Sequence, residues 1–457
     1  MLLGVPRLKR AVAILVVVLL TGLTFVSCGG SSAPTTGGTS GLKFRAFVSQ
    51  NVSSPTAAAG VIIVNASTDL QAARVSGAGL GSSFMPAMMV EPSNRQVTIT
   101  VGSDGKAVEV INNSTEMAAT PVSMPGVTQS VVISVDATTA YAAVPNAQIP
   151  EGTPGGIVQM SLGTTTVITA TVPVPGAQYV VQSGDGSRLL VFSNNHNFVN
   201  TVTIVSPFNI VPGQQNSTCT TTGSTPICQT VAGFDHPVFG FFSSDNTQAW
   251  ILNCGPECGG QQASVQVLDL VHGVAGAAVA VDGATVGFIN NQTLYVAGMP
   301  TAAPGSTTVP DTACTGITTA ATKCGRLDIV DLPSMTVTNT LVITDGYHTQ
   351  MNMQDAQLFI GSQRCSNVVP PTLPATGEQR GCLTIVNTLP TTLVQGNVVF
   401  PPDNGDVTGI QPITNRTIMY VVEGGNFRIY DTTTDKLYTV TSIVILGNAV
   451  DVKLADF

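Results

Sequence analysis

The feature that most constrains the fold is a unit that recurs along the chain. Its plainest copies read strand, turn, strand: "ASVQVLDL" (263–270), "GRLDIVDLPSMTVTNTLVI" (325–343), "GCLTIVNTLPTTLVQGNVV" (381–399) and "GNFRIYDTTTDKLYTVTSI" (425–443). Each follows another strand-like run: "TQAWILNC", "QTLYVAGMP", "AQLFIGSQRC" and "RTIMYVVEGG". A further strand comes before that one and closes on a turn such as "SSDN", "NMQD" or "ITNR". Val, Ile and Thr fill the runs, and Gly, Pro, Asn and Asp bound them, which is strand and turn chemistry. The unit is a four-stranded antiparallel meander. Looser copies begin at "MPAMMVEPSNRQVTITV", "QSVVISVDATTAYAAVP" and "QYVVQSGDGSRLLVFSNN". One meander cannot bury both of its faces, whereas radial stacking of several buries them all.

The patterns "LLVFSNN…TVTIV" and "IYDTTTDKLYTVTSI" resemble the YVTN-type propeller repeats of bacterial surface and periplasmic proteins, over about residues 44–457. The resemblance implies an all-β β-propeller of about eight blades, with seven as the other count because the first unit is incomplete. "FRAFVSQN" and "GVIIVNAS" supply only its later strands. The segment "NAVDVKLADF" (448–457) fits the missing inner strand, so that both ends of the domain share one blade and leave no exposed edge. A pair of β-sandwiches is the rival architecture.

The first residues give the location. "MLLGVPRLKR" carries Arg7, Lys9 and Arg10 and no acidic residue, and an apolar run from Ala11 to Ser27 follows. A basic start, a short apolar stretch and small residues at its end describe an export signal (residues 1–27); an uncleaved membrane anchor is the alternative. "FVSC" before "GGSS" resembles the bacterial lipobox, although Phe25 stands where leucine is usual. That resemblance makes Cys28 a lipid-attachment residue and the membrane a partner through the lipid. Residues 28–42 become a flexible Gly/Ser/Thr tether, and 43–457 a single propeller domain. Gly29, in place of the Asp that favours inner-membrane retention, implies outer-membrane sorting.

Nine cysteines less Cys28 leave Cys219, Cys228, Cys254, Cys258, Cys314, Cys324, Cys365 and Cys382. An even remainder in an exported chain points to disulfides, and order along the chain suggests neighbour pairing without proving it. Three of the four neighbour pairs fall between the second and third strands of successive units, around insertions of growing length. Such loops emerge on the face where propellers usually take ligands. They could be a surface elaborated for a partner, or long loops stapled against proteolysis. Cys254-Gly-Pro-Glu-Cys258 lacks the CxxC spacing and the nearby histidine usual at zinc sites, so no metal is expected.

Only 9% of residues are charged, the net charge is −9, and no basic patch suited to nucleic acid is present. There are four histidines. Asp235-His236 and Tyr347-His348 precede expected innermost strands, and His196 lies in a loop of the same face. These five residues are the candidate funnel ligand-binding set, against a structural role as strand caps; His272 stands apart from them. Trp250 reads as packing between blades. No GxSxG, HExxH or phosphate-cradling loop is present, the carboxylates sit in turns, and no cofactor is expected. The expectation is a monomeric, lipid-anchored envelope propeller that binds a protein or glycan. A lactonase-like hydrolase working in the funnel is the alternative.

Overall fold

The computed structural model describes residues 39–455, apart from 52–58, 79–83, 150–151, 164, 195, 214–215, 221–224, 318–320, 367–381, 402–404, 439–442, 444 and 446. Cys28 and the segment before it lie outside the described residues. No helix among the described residues is long and apolar enough to cross a membrane.

The strands form eight antiparallel sheets. Blade 1 takes its innermost strand from Asn448–Leu454 and its other three from Arg45–Asn51, Gly60–Asn65 and Leu70–Arg74. The innermost strands of blades 2 to 8 are Pro86–Val90, Ser130–Ile133, Ala177–Gln182, Pro237–Phe242, Val286–Asn290, Tyr347–Gln354 and Val407–Pro412. In blade 2 the outer position is split between Met117–Ala118 and Val122–Ser123, both paired with Ala107–Asn112. The fold is therefore the expected propeller, with eight blades.

The burial pattern explains why a ring is the solution. Along Arg45–Asn51 every residue from Arg45 to Gln50 is buried, so both faces of the strand are covered. Side chains still alternate: Ala46 and Val48 pack with Ile413, Tyr420 and Val422 of blade 8, while Phe47 packs with Met89 and Ile111 of blade 2. Each of the other apolar clusters likewise joins two successive blades. Trp250 is partly buried in the seam of blades 5 and 6, as packing.

Closure is specific as well as apolar. Asn448–Leu454 runs antiparallel to Arg45–Asn51, with Ala46 opposite Leu454 and Asn51 opposite Asn448. Asp451 accepts the Met89 N–H of blade 2 at 2.8 Å and pairs with Lys453 at 2.9 Å. On the other side, Arg416 of blade 8 holds the buried Asp69 of blade 1 with two hydrogen bonds, and the Tyr420 hydroxyl donates to the same carboxylate.

All four disulfides join sequence neighbours: Cys219–Cys228, Cys254–Cys258, Cys314–Cys324 and Cys365–Cys382. They mark an oxidising, extracytoplasmic environment. The last three staple loops between second and third strands, on the face where innermost strands begin. Cys219–Cys228 spans a third-to-fourth-strand connection on the opposite face.

Candidate functional site

Pro237, which opens the innermost strand of blade 5, lies opposite Asn253 at the end of the second strand, so strand starts and second-to-third-strand loops share one face. On that face a cavity of about 690 Å³ opens among blades 4 to 7. Its wall comes mainly from the openings of four innermost strands, around Gln178-Tyr179, His236-Pro237, Thr285-Val286 and Tyr347-His348. Gln129, from before the innermost strand of blade 3, and Asn194 and Cys258, from second-to-third-strand loops, complete the rim.

Asp235 and His236 build this rim. His236 Nδ1 lies 3.1 Å from Asp235 Oδ1, and the other oxygen of Asp235 accepts the N–H groups of Gln261 and Gln262, both at 2.7 Å. The Cys254 N–H donates to the His236 carbonyl, so the disulfide loop is hung on this dipeptide. His236 adopts φ 55°, a left-handed conformation uncommon outside glycine. A Cβ on Gly260 would stand 2.0 Å from Asp235 Oδ1, so only glycine lets the carboxylate reach the loop. His236 lines the cavity, and its Nε2 has no hydrogen-bond partner among the described residues. Asp235 is not part of the wall.

Tyr347 and His348 take different roles. Tyr347 is 43% exposed at the mouth, whereas His348 is fully buried. His348 Nε2 lies 3.0 Å from the Thr344 carbonyl, and a Cβ on Gly325 would meet the ring at 2.6 Å. Burial holds this imidazole down at about 4, so it is neutral and donates through Nε2, and its Nδ1 is unpartnered among the described residues. His196 is exposed in the loop whose Asn194 and Val199 line the cavity, but it is not itself part of the wall. Of the five expected residues, the structure thus brings His236, Tyr347 and His348 to one cavity. His272 is exposed in a turn, 2.7 Å from Asp269.

Sequence reasoning did not single out the side chains that give the wall its character. The Gln178, Gln129, Gln350 and Asn194 amides line it, together with Tyr179 and Phe239, whose rings meet edge-on at 5.2 Å. The available signal was a glutamine beside three of the strand openings, in "TQSVV", "AQYVV" and "HTQMN". Glu257 was also missed. It accepts the Met299 N–H at 2.9 Å from within the disulfide loop, and burial pushes its carboxyl up to about 7. Desolvation, followed by the charge of Glu257, raises the Tyr347 phenol. No cluster of His, Cys, Asp and Glu among the described residues could hold a metal ion.

No protein-family model matches the sequence, and no curated protein matches it either. Solved structures do resemble the fold. The dihydro-haem d1 dehydrogenase NirN, solved in complex with DHE, is 10% identical with a TM-score of 0.60, over 93% of this chain and 78% of that one. A 6-phosphogluconolactonase-like protein from Bacteroides uniformis is 10% identical with a TM-score of 0.48, over 90% of this chain and 99% of its own. Its counterpart from Bacteroides fragilis is 13% identical with a TM-score of 0.47, over 92% and 99%. At these identities the likeness is one of fold.

Proposed function

We propose that this protein is a lipid-anchored binding module of the cell envelope, engaging its partner through the cavity at the openings of the innermost strands. The observation that carries the reading is that part of the cavity rim, at His236 and Cys258, is fixed by the disulfide loop Cys254–Cys258 and its bonds to Asp235 and His236. A rim held in place before binding loses little conformational entropy when a partner docks. The opposite face supports the anchor. There Ser40 bonds to Glu116 through both its N–H and its hydroxyl, and Glu116 pairs with the buried Arg45 at 2.5 Å.

A photo-crosslinking phenylalanine analogue placed at Tyr347, and separately at Phe208, tests this in intact envelopes. Phe208 is 78% exposed in the third-to-fourth-strand connection of blade 4, on the face opposite the cavity. The expected result is an adduct from position 347 and none from 208. Equal labelling at both positions, or none at 347, overturns the reading.

One observation favours a hydrolase as the second reading. Asp235 orients His236, as a carboxylate orients a general base, and leaves Nε2 unpartnered. Lactone hydrolysis that is lost in His236→Asn, with the fold intact, would establish it.

A further inference from the structure

From the chemistry of the wall we infer that the ligand is an uncharged carbohydrate, held by side-chain amides against aromatic rings. The inference rests on the binding reading above and names the class of ligand.

The first observation is what the wall omits. Among the described residues lining the cavity there is no carboxylate, lysine or arginine. A phosphorylated, sulfated or uronic-acid ligand entering such a site sheds water from its charge and finds no guanidinium or ammonium in return, a costly exchange. A cationic ligand finds no carboxylate. The His348 imidazole is neutral by burial and engaged with Thr344.

The second observation is what the wall offers. The amides of Gln129, Gln178, Asn194 and Gln350 make no hydrogen bond to another described residue, so each brings a carbonyl acceptor and two N–H donors to the cavity unspent. A sugar hydroxyl is itself donor and acceptor, and an amide satisfies both roles at once. Flat hydrophobic surface stands beside them. Tyr179 packs edge-on to Phe239, Phe239 to Phe241 at 4.9 Å, and Tyr347 stands across the mouth. A pyranose ring presents one face of C–H groups and an equator of hydroxyls, and these two demands are met by rings and amides respectively. A volume of about 690 Å³ is ample for a few sugar units at a chain end.

The test uses the full chain in detergent micelles, with saturation-transfer NMR and titration calorimetry. The probes are neutral hexose and N-acetylhexosamine oligomers, and the matching uronic-acid and phosphorylated oligomers. Neutral oligomers should bind, with anionic ones at least tenfold weaker. Gln178→Ala combined with Gln350→Ala should weaken binding at least tenfold, while Phe208→Ala on the far face leaves it unchanged. Equal or stronger binding of the anionic probes overturns the inference, as does binding that is indifferent to the two glutamines. Absence of saccharide binding, with position 347 still crosslinking a protein in envelopes, overturns the carbohydrate class and leaves the binding module standing. Absence of both removes the binding module as well.

Discussion

Glu257 shows how far one side chain can carry the chemistry of its loop. Within the Cys254–Cys258 loop its carboxyl accepts the Met299 N–H, and burial raises it to about 7 against an ordinary value of 4.5. Between those values the folded chain keeps a proton that the unfolded chain releases, so stability falls as pH rises through about 4.5 to 7. Glu91, also raised by burial to about 7, acts in the same direction. His348 acts in the opposite one: buried at about 4 against 6.5, it loses stability as pH falls between those values. Glu257→Gln keeps an acceptor for the Met299 N–H and removes the titration. The variant should be more stable than its parent at pH 7.5, by about 3 kcal/mol, and equal to it near pH 4. Thermal melts across pH measure this, and parallel curves for the two proteins would contradict it. Residue roles of this kind were only partly legible in the sequence. Tyr347 and His348 both looked poised at the funnel and both line the cavity, yet Tyr347 is exposed there while His348 is buried and bonded to Thr344. Asp235 reads as a ligand beside a histidine, but two N–H groups from a loop many residues downstream occupy its second oxygen.

At the scale of the element, what the sequence announced was whatever is local. The Ser-x-Asp-x-Ser/Thr turns of blades 3, 4 and 5 are one device used three times. Ser134, Ser183 and Ser243 donate to Asp136, Asp185 and Asp245 at 2.6, 2.7 and 2.6 Å. These bonds, with the N–H two residues on, hold Asp185 down at about 2. The residues ending the third strands, Asp269, Asp331, Asn387 and Asp431, each accept a backbone N–H in the following turn. Such bonds join residues two or three apart, so spacing reveals them. The amides of the cavity come from blades 3, 4 and 7, so no single turn holds them together, and a glutamine beside three strand openings is the one trace of them in the sequence. The staples are local too, and loop length sets their worth. Replacing both cysteines of the pair with separation 17, Cys365–Cys382, should cost roughly 3 kcal/mol, against roughly 2 for Cys254–Cys258 with separation 4. Denaturant unfolding gives both values. Only loss of Cys254–Cys258 should speed amide exchange at Pro237–Phe242, because that loop hangs on His236. The reverse order of stabilities, or faster exchange there in the other variant, would count against this assignment of roles.

For the whole molecule, the eight seams form one circuit, and the cavity exists because four strand openings are held around a common axis. Blade 1 is assembled from the two extremes of the domain, and its neighbours grip it with polar contacts: Asp451 on Met89 towards blade 2, and Arg416 on Asp69 from blade 8. The sequence foretold this closure because a blade short of one strand and a final segment without a partner are each other's complement. The most direct test is a cysteine pair at positions 51 and 448, which lie opposite each other in the closing pair of strands. Asn51→Cys with Asn448→Cys, oxidised in the folded protein and digested, should yield an intramolecular crosslinked peptide between the two segments, with the four native bridges retained. Cysteines that stay free to alkylation, or crosslink only between molecules, would mean that the ring is not closed by its last strand.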